Sequence, residues 1–320
     1  MRTIAVVLLF LSPLFCMSQK QRVWIDTDIM IGKFPRDVDD GLALILALSD
    51  TNIHIAGISF VHGVDYASEV TEILLKRYGR GLEIPTFKGA DDSVQFGDET
   101  EATQALRKAL QEGPLTILAL GPMTNIGTVL ENHPELASNV TRISYCAGRR
   151  PGQLFNPGSG KTRFSDYNFD LDPYATAMVL KAGVPMLLAG YDCSDDLFVS
   201  KEDFVHLRKS ENATDKWLYR KLRSWHSLWR TFIGSKQGFI PFDVSTVGAL
   251  LYPQEFDITP AIPSYIQVLK NDSKHIVKTP TKPYLIVLDN AAGRIVSYCN
   301  STNSEFKTRL LHAIGHPDHP

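Results

Sequence analysis

"VWIDTDIMIGKFPRDVDDGLAL", residues 23–44, leaves an apolar run, passes through five carboxylates and enters a second apolar run. The acids are Asp26, Asp28, Asp37, Asp39 and Asp40. A solvated acidic face is the ordinary reading of such a cluster, but Trp24 and Ile25 lead in while Leu42, Leu44, Ile45 and Leu46 lead out. Acids at the rim of an apolar core repel one another and lose hydration unless a positive charge sits among them. A hard cation meets that need. Oxygen ligands without nearby His or Cys favour Ca²⁺ or Mg²⁺ over zinc, and an EF-hand is excluded because its loop Gly and Glu are missing.

Working outward, "RVWIDTD", "IHIAGISFV", "LTILALG", "RISYCAG" and "VPMLLAG" are β-branched apolar runs of strand length. Between them "VDDGLALILALS", "SEVTEILLKRYG", "ATQALRKALQEG" and "DPYATAMVLKAG" have helical character, and several end at Gly. The alternation predicts an α/β fold: an open, mostly parallel, Rossmann-like sheet covered by helices on both faces. Ligands bind beyond the carboxyl ends of strands in such sheets, which is where "DTD" falls. Towards the end, "PYLIVLD" and "GRIVSYCN" read as a hairpin and "EFKTRLLHAIG" as a last helix.

A chain of 320 residues that is 44% hydrophobic and 21% charged can bury a large core. Its net charge of -2 gives no basic footprint for nucleic acid, so the expected partner is a small molecule. Arg2 before "IAVVLLFLSPLF", with Cys16 and Ser18 as small residues two apart, has the layout of a signal peptide over residues 1–18. That run is short for a permanent span. The expected product is an exported protein, periplasmic or secreted and free of the membrane, with one catalytic domain over residues 19–320. Cys146, Cys193 and Cys299 remain, an odd number that implies no disulfide framework. Asn139, Asn212, Asn271 and Asn300 head N-x-S/T triplets, which matter only in a eukaryotic secretory pathway.

Four segments in order resemble the nucleoside hydrolase family, the inosine-uridine-preferring group and its relatives. "DTD" with "DVDDGLALILAL" is similar to its amino-terminal signature, lengthened here by "IMIGKFPR". "LTILALGPMTNIGTVLENHPEL" resembles its Gly-Pro-Leu-Thr-Asn segment, "SDYNFDLDPYATAMVL" its Ala-Glu-Phe-Asn segment, and "FDVSTVGALLYPQEF" its late His-Asp-Pro segment. The resemblance spans about residues 22–260. It implies calcium held by Asp28, Asp40, a main-chain oxygen of Thr124, and Asp243, with Asp28 as the base for the attacking water. It also implies ribose contacts from Asp39, Asp166 and Asn168, with Asp26 orienting the other acids and Asp37 solvated on the long loop. The implied reaction is calcium-dependent hydrolysis of the N-glycosidic bond of ribonucleosides, purine ones first, by a dimer or tetramer.

The departures bear on the leaving base. Many relatives place a proton-donating His before the late Asp; here that place is Phe242, which cannot donate. His62, Trp225 and His226 are the candidates for contacts to the base, although Leu218, Leu222, Trp225 and Trp229 also read as an ordinary core stripe. Two other classes fit part of the pattern. A phosphatase opening with D-x-D has Thr or Val where Met30 stands, and its second metal motif comes later than this Asp pair. An exported ribosyl-binding protein without turnover would retain the acids and lose the donor at position 242.

Overall fold

The computed structural model describes residues 20–157, 163–273 and 276–315. The expected signal segment, 1–18, lies outside them. In chain order the elements are β1 (Gln21–Thr27), α1 (Asp39–Ser49), β2 (Ile53–Phe60), α2 (Val64–Tyr78), β3 (Thr86–Lys88), α3 (Glu101–Gln111), β4 (Leu115–Ala119), α4 (Thr124–Asn132) and β5 (Val140–Tyr145). There follow α5 (Tyr167–Leu171), α6 (Pro173–Ala182), β6 (Met186–Leu188), α7 (Lys201–Phe204), α8 (Ala213–Leu228), α9 (Phe242–Leu251), β7 (Phe256–Lys270), β8 (Thr281–Val287), β9 (Arg294–Thr302) and α10 (Ser304–Gly315).

All strands join one nine-stranded sheet in the order β3-β2-β1-β4-β5-β6-β9-β7-β8. From β3 to β9 the neighbours run parallel, while β7 pairs antiparallel with both β9 and β8. Chain order reverses at β1, which lies between β2 and β4, so the crevice beyond β1 and β4 is the topological switch point. Period-two alternation along β1 sends Val23 and Ile25 into one core and Trp24 into the other. The first core takes apolar faces of α1, α2, α8, α9 and α10; the second takes those of α3, α4 and α6. Helix α1 is buried almost all round, as its unbroken "LALILAL" requires of a core helix.

Two sequence expectations change. The late hairpin does not form: β8 and β9 are consecutive in sequence, but the longer β7 lies between them and takes the ladder of each. A disulfide is present, joining Cys193 to Cys299, with Cys146 free. Three thiols admit one bridge, and the parallel pairing of β6 with β9 is what brings those two partners together.

Candidate active site

The first carboxylates stand where β1 ends. Asp26, the last inward acid of the strand, is fully buried; its Oδ1 accepts from Ser59 Oγ and, at 2.9 Å, from Asn125 Nδ2. Burial pushes its carboxyl up to about 7. Asp28 follows at the rim, against the loop after β4. A Cβ on Gly121 would lie 3.0 Å from Asp28 N and 2.6 Å from Val61, so glycine lets the two strand ends approach.

Asp39 and Asp40 form the first turn of α1, and Asp243 lies in the first turn of α9. Helices α1 and α9 pack together and aim both positive ends at the acids, a favourable field for carboxylates. Asp39 Oδ2 accepts from Phe242 N at 3.1 Å, which ties one helix start to the other. Thr27 Oγ1 donates to Asp40 Oδ1. Asp37 is also at the site rather than in solvent: Asp37, Asp39 and Asp40 each offer an oxygen within 4.8 Å of the others'.

These groups raise one another's pKa. Burial is the largest cause at Asp28, Asp39, Asp40 and Asp243, which all sit well above the ordinary carboxylate range. Neighbouring carboxylates add to it, Asp37 and Asp39 at Asp28, and Asp40, Asp39 and Asp28 at Asp243. Asp39 Oδ1 and Asp243 Oδ1 are buried with no hydrogen-bond partner. Unpaired buried acceptors are costly, and an all-oxygen donor set of this charge fits a hard divalent cation.

Beyond the acids the cavity, ≈ 210 Å³, is walled by aromatic rings. Phe155 stacks on Tyr191 with centroids 4.7 Å apart, Phe164 lies 5.4 Å from Trp229, and Phe242 meets Phe164 and Tyr191 at 6.2 and 5.8 Å. Trp225 also lines it. Helix α8 ends in a widened π-helical turn, Trp229–Ile233, and that turn carries Trp229 to the wall. The stripe on α8 serves both sides: Leu218, Leu222 and Trp229 belong to the core with Trp225 packed against it, and Trp225 and Trp229 also line the cavity.

The side of the cavity lined by Asp166 and Asn168 is polar. Asp166 Oδ2 accepts from Gly148 N at 2.9 Å, and burial pushes its carboxyl up to about 6 against the pull of Arg149. Asn168 Nδ2 donates to Leu120 O at 2.7 Å and Cys146 O at 3.2 Å, which leaves Oδ1 for a ligand hydroxyl. A Cβ on Gly190 would lie 1.9 Å from Gly148 O, so this wall closes only with glycine there.

Asp28, Asp39, Asp40, Asp166, Asn168, Trp225, Phe242 and Asp243 thus share one cavity. Four expected residues do not line it, the first being Asp26, which is buried behind the strand end. Thr124 opens α4, where its carbonyl follows the helix axis, and its Oγ1 donates to Asp172 Oδ2 at 2.6 Å. The main-chain oxygen brought to this rim is that of Leu120. His62, at φ 58, turns into a neighbouring recess with Pro122 and Leu171. His226 lies on the other side of α8, its ring 6.1 Å from Phe204.

Sequence reasoning missed Arg36, Cys146, Phe155, Phe164, Tyr167 and Tyr191 on the wall. It also missed Asn125, whose Nδ2 binds Asp26 and Phe60 O and whose Oδ1 accepts from Ala90 N. A buried Asn in "MTN" was the available signal for the last; the others come from loops whose meeting no local pattern encodes.

Over 132 residues the chain is 34% identical to the pyrimidine-specific ribonucleoside hydrolase RihA of Shewanella woodyi, covering 41% of this chain and 40% of that relative. Over 157 residues it is 28% identical to the non-specific ribonucleoside hydrolase RihC of Salmonella newport, covering 48% and 47%. The matched part thus spans less than half the length of these curated relatives. A plant nucleoside hydrolase, PpNRh1, has the same fold at TM-score 0.71 and 20% identity, covering 92% of this chain and 98% of that one. So does a purine-preferring ribonucleoside hydrolase from Gardnerella vaginalis, at 0.71 and 18% identity over 92% and 99%. The sequence profile of the family described as inosine-uridine preferring nucleoside hydrolase matches residues 23–308, and this chain belongs to that family.

Proposed function

We propose that this chain hydrolyses the N-glycosidic bond of ribonucleosides to ribose and free base, with calcium as the metal. One observation carries the reading: buried carboxylates with unpartnered oxygens at Asp39 and Asp243 share a cavity with an aromatic wall. Asp28, Asp40 and Asp243 would hold the ion, with the Leu120 carbonyl at the same rim in place of Thr124. Calcium suits carboxylates drawn from separate segments, since it accepts irregular oxygen shells. When bound, the ion offsets the acids' charge and polarises a water.

The chain's own residues supply the rest. Asp28 accepts the proton of the attacking water. Asp39, Asp166 and the free Oδ1 of Asn168 take the ribose hydroxyls and fix the sugar for in-line attack. Cleavage builds positive charge on the sugar ring, and the surrounding carboxylates stabilise it. The rings of Phe155, Phe164, Tyr191, Trp225, Trp229 and Phe242 offer flat apolar surface to the base. Purine ribonucleosides are the proposed first choice, because the larger base meets more of it.

Export is part of the proposal, supported by the Cys193–Cys299 bridge, since disulfides persist in oxidising compartments. So is assembly as a dimer or tetramer, which light scattering reads directly. The decisive test is reducing-sugar release from purine and pyrimidine nucleosides with Ca²⁺ and with chelator. Chelator-sensitive release is expected. Tight nucleoside binding without turnover would instead make this a ribosyl-binding protein, the reading that Phe242 favours.

A further inference from the structure

The leaving base needs a hydrogen donor as the glycosidic bond breaks, and Phe242 cannot be one. Among the described residues lining the cavity there is no histidine, and Arg36 is the sole cation. Arg36 stands on the lengthened loop between Asp28 and Asp37, and its bond to Tyr167 and the charges of Asp37 and Asp28 favour its protonated form. Its Nη1 donates to the Tyr167 hydroxyl oxygen, and its guanidinium carbon lies 5.8 Å from that ring's centroid.

The direction of this bond matters. A guanidinium has donors and no acceptor, so the phenol oxygen must accept and its own hydrogen remains available to a third group. Tyr167 lines the same cavity as Asp166 and Asn168, the proposed ribose contacts. Burial holds both wall phenols above the ordinary value, with Asp195 and Asp192 adding to it at Tyr191 and Asp28 and Asp37 at Tyr167; what sets Tyr167 apart is the Arg36 guanidinium bonded to its oxygen, which favours loss of its proton.

We propose that Tyr167 donates the proton to the departing base and that Arg36 positions the phenol and pairs with the phenolate left behind. The inference rests on the N-ribohydrolase reading. As the C1′–N bond breaks, its electron pair goes to the base nitrogen, and the base takes the Tyr167 proton. Water adds its oxygen to C1′ and gives a proton to Asp28. The net change is one water across the bond; solvent returns a proton to Tyr167 and removes one from Asp28 after release.

The test compares kcat/KM for a purine nucleoside with that for nitrophenyl β-riboside, whose leaving group departs as a stable anion and needs no proton. Tyr167→Phe is expected to lose about 10²-fold on the nucleoside, the lower end of general-acid contributions, and to keep nearly all activity on the nitrophenyl riboside. Arg36→Met should show the same split to a smaller degree, and Arg36→Lys should restore part of it. Equal losses on both substrates in Tyr167→Phe and in Arg36→Met would overturn the donor role and leave the hydrolase intact. Wild-type silence on both substrates would overturn the hydrolase reading itself, and this inference with it.

Discussion

Each carboxylate in this site is the same chemical group given a different task by its surroundings. Asp28 faces the cavity at the end of the first strand, and Asp28→Asn is expected to cut ribose release by about 10²–10⁴-fold while calcium binding also weakens. Asp166 lies apart from the proposed metal ligands and is held near 6 by burial. Its carboxyl accepts from a ribose hydroxyl more strongly when ionised, so kcat/KM should fall as pH drops through about 6. The folded state binds the extra proton below that point, so ionisation of Asp166 lowers stability as pH rises from its ordinary 3.8 to about 6. Asp166→Asn should therefore raise the melting temperature at neutral pH, have little effect at pH below the window, and impair turnover. Phe242→His is a further check: in the Tyr167→Phe background it should restore nucleoside hydrolysis, measured as ribose release. Residue types alone made the acid cluster of Asp28, Asp39 and Asp40 legible from the chain, while Asn168 and Asp243 were placed only by what the family resemblance implies. Arg36 and Tyr167 were not, because they are 131 positions apart and meet only through a loop fold that has no periodic signature.

At the scale of elements, the site is an agreement between helix starts and strand ends. Helices α1 and α9 bring positive termini to the acids, and short α5 carries Asn168 on its way to Asp170. What holds α5 in place comes from far along the chain: Lys282 on β8 is fully buried and its Nζ donates to Asp170 Oδ2. Removing one partner of a buried ion pair leaves the other uncompensated, so Lys282→Met is expected to cost about 3–5 kcal/mol in denaturant unfolding. Lys282→Met with Asp170→Leu should recover much of that stability, and any activity still missing would measure the disturbance of Asn168. The early strands and helices were readable because apolar period and glycine stops agree locally. The late hairpin was misread for a physical reason: adjacency in sequence favours pairing, but β7 offers fifteen residues of backbone and can serve two partners at once.

At the scale of the molecule, one covalent bond links the parallel half of the sheet to its antiparallel end. Cys193–Cys299 closes a separation of 106 residues, and it lies two residues beyond Tyr191 on the cavity wall. Reduction is expected to lower stability by about 2–5 kcal/mol, read as a fall in the unfolding midpoint with and without thiol. The overall α/β architecture and its switch-point site were legible because alternation of strand and helix restricts topology so strongly. The bridge was not, since a count of three thiols cannot say which two a distant strand will bring together. The strand order also sets a timetable for biogenesis. The outer edge of β6 is closed only when Leu187 and Leu188 meet Ser297 and Tyr298. A nascent chain whose strands up to β6 have paired thus shows bare ladder groups until β9 emerges, which is an invitation to pair with another copy. The late strands are the seal on that edge, and export, as proposed, would bring that seal and its oxidant into the same compartment.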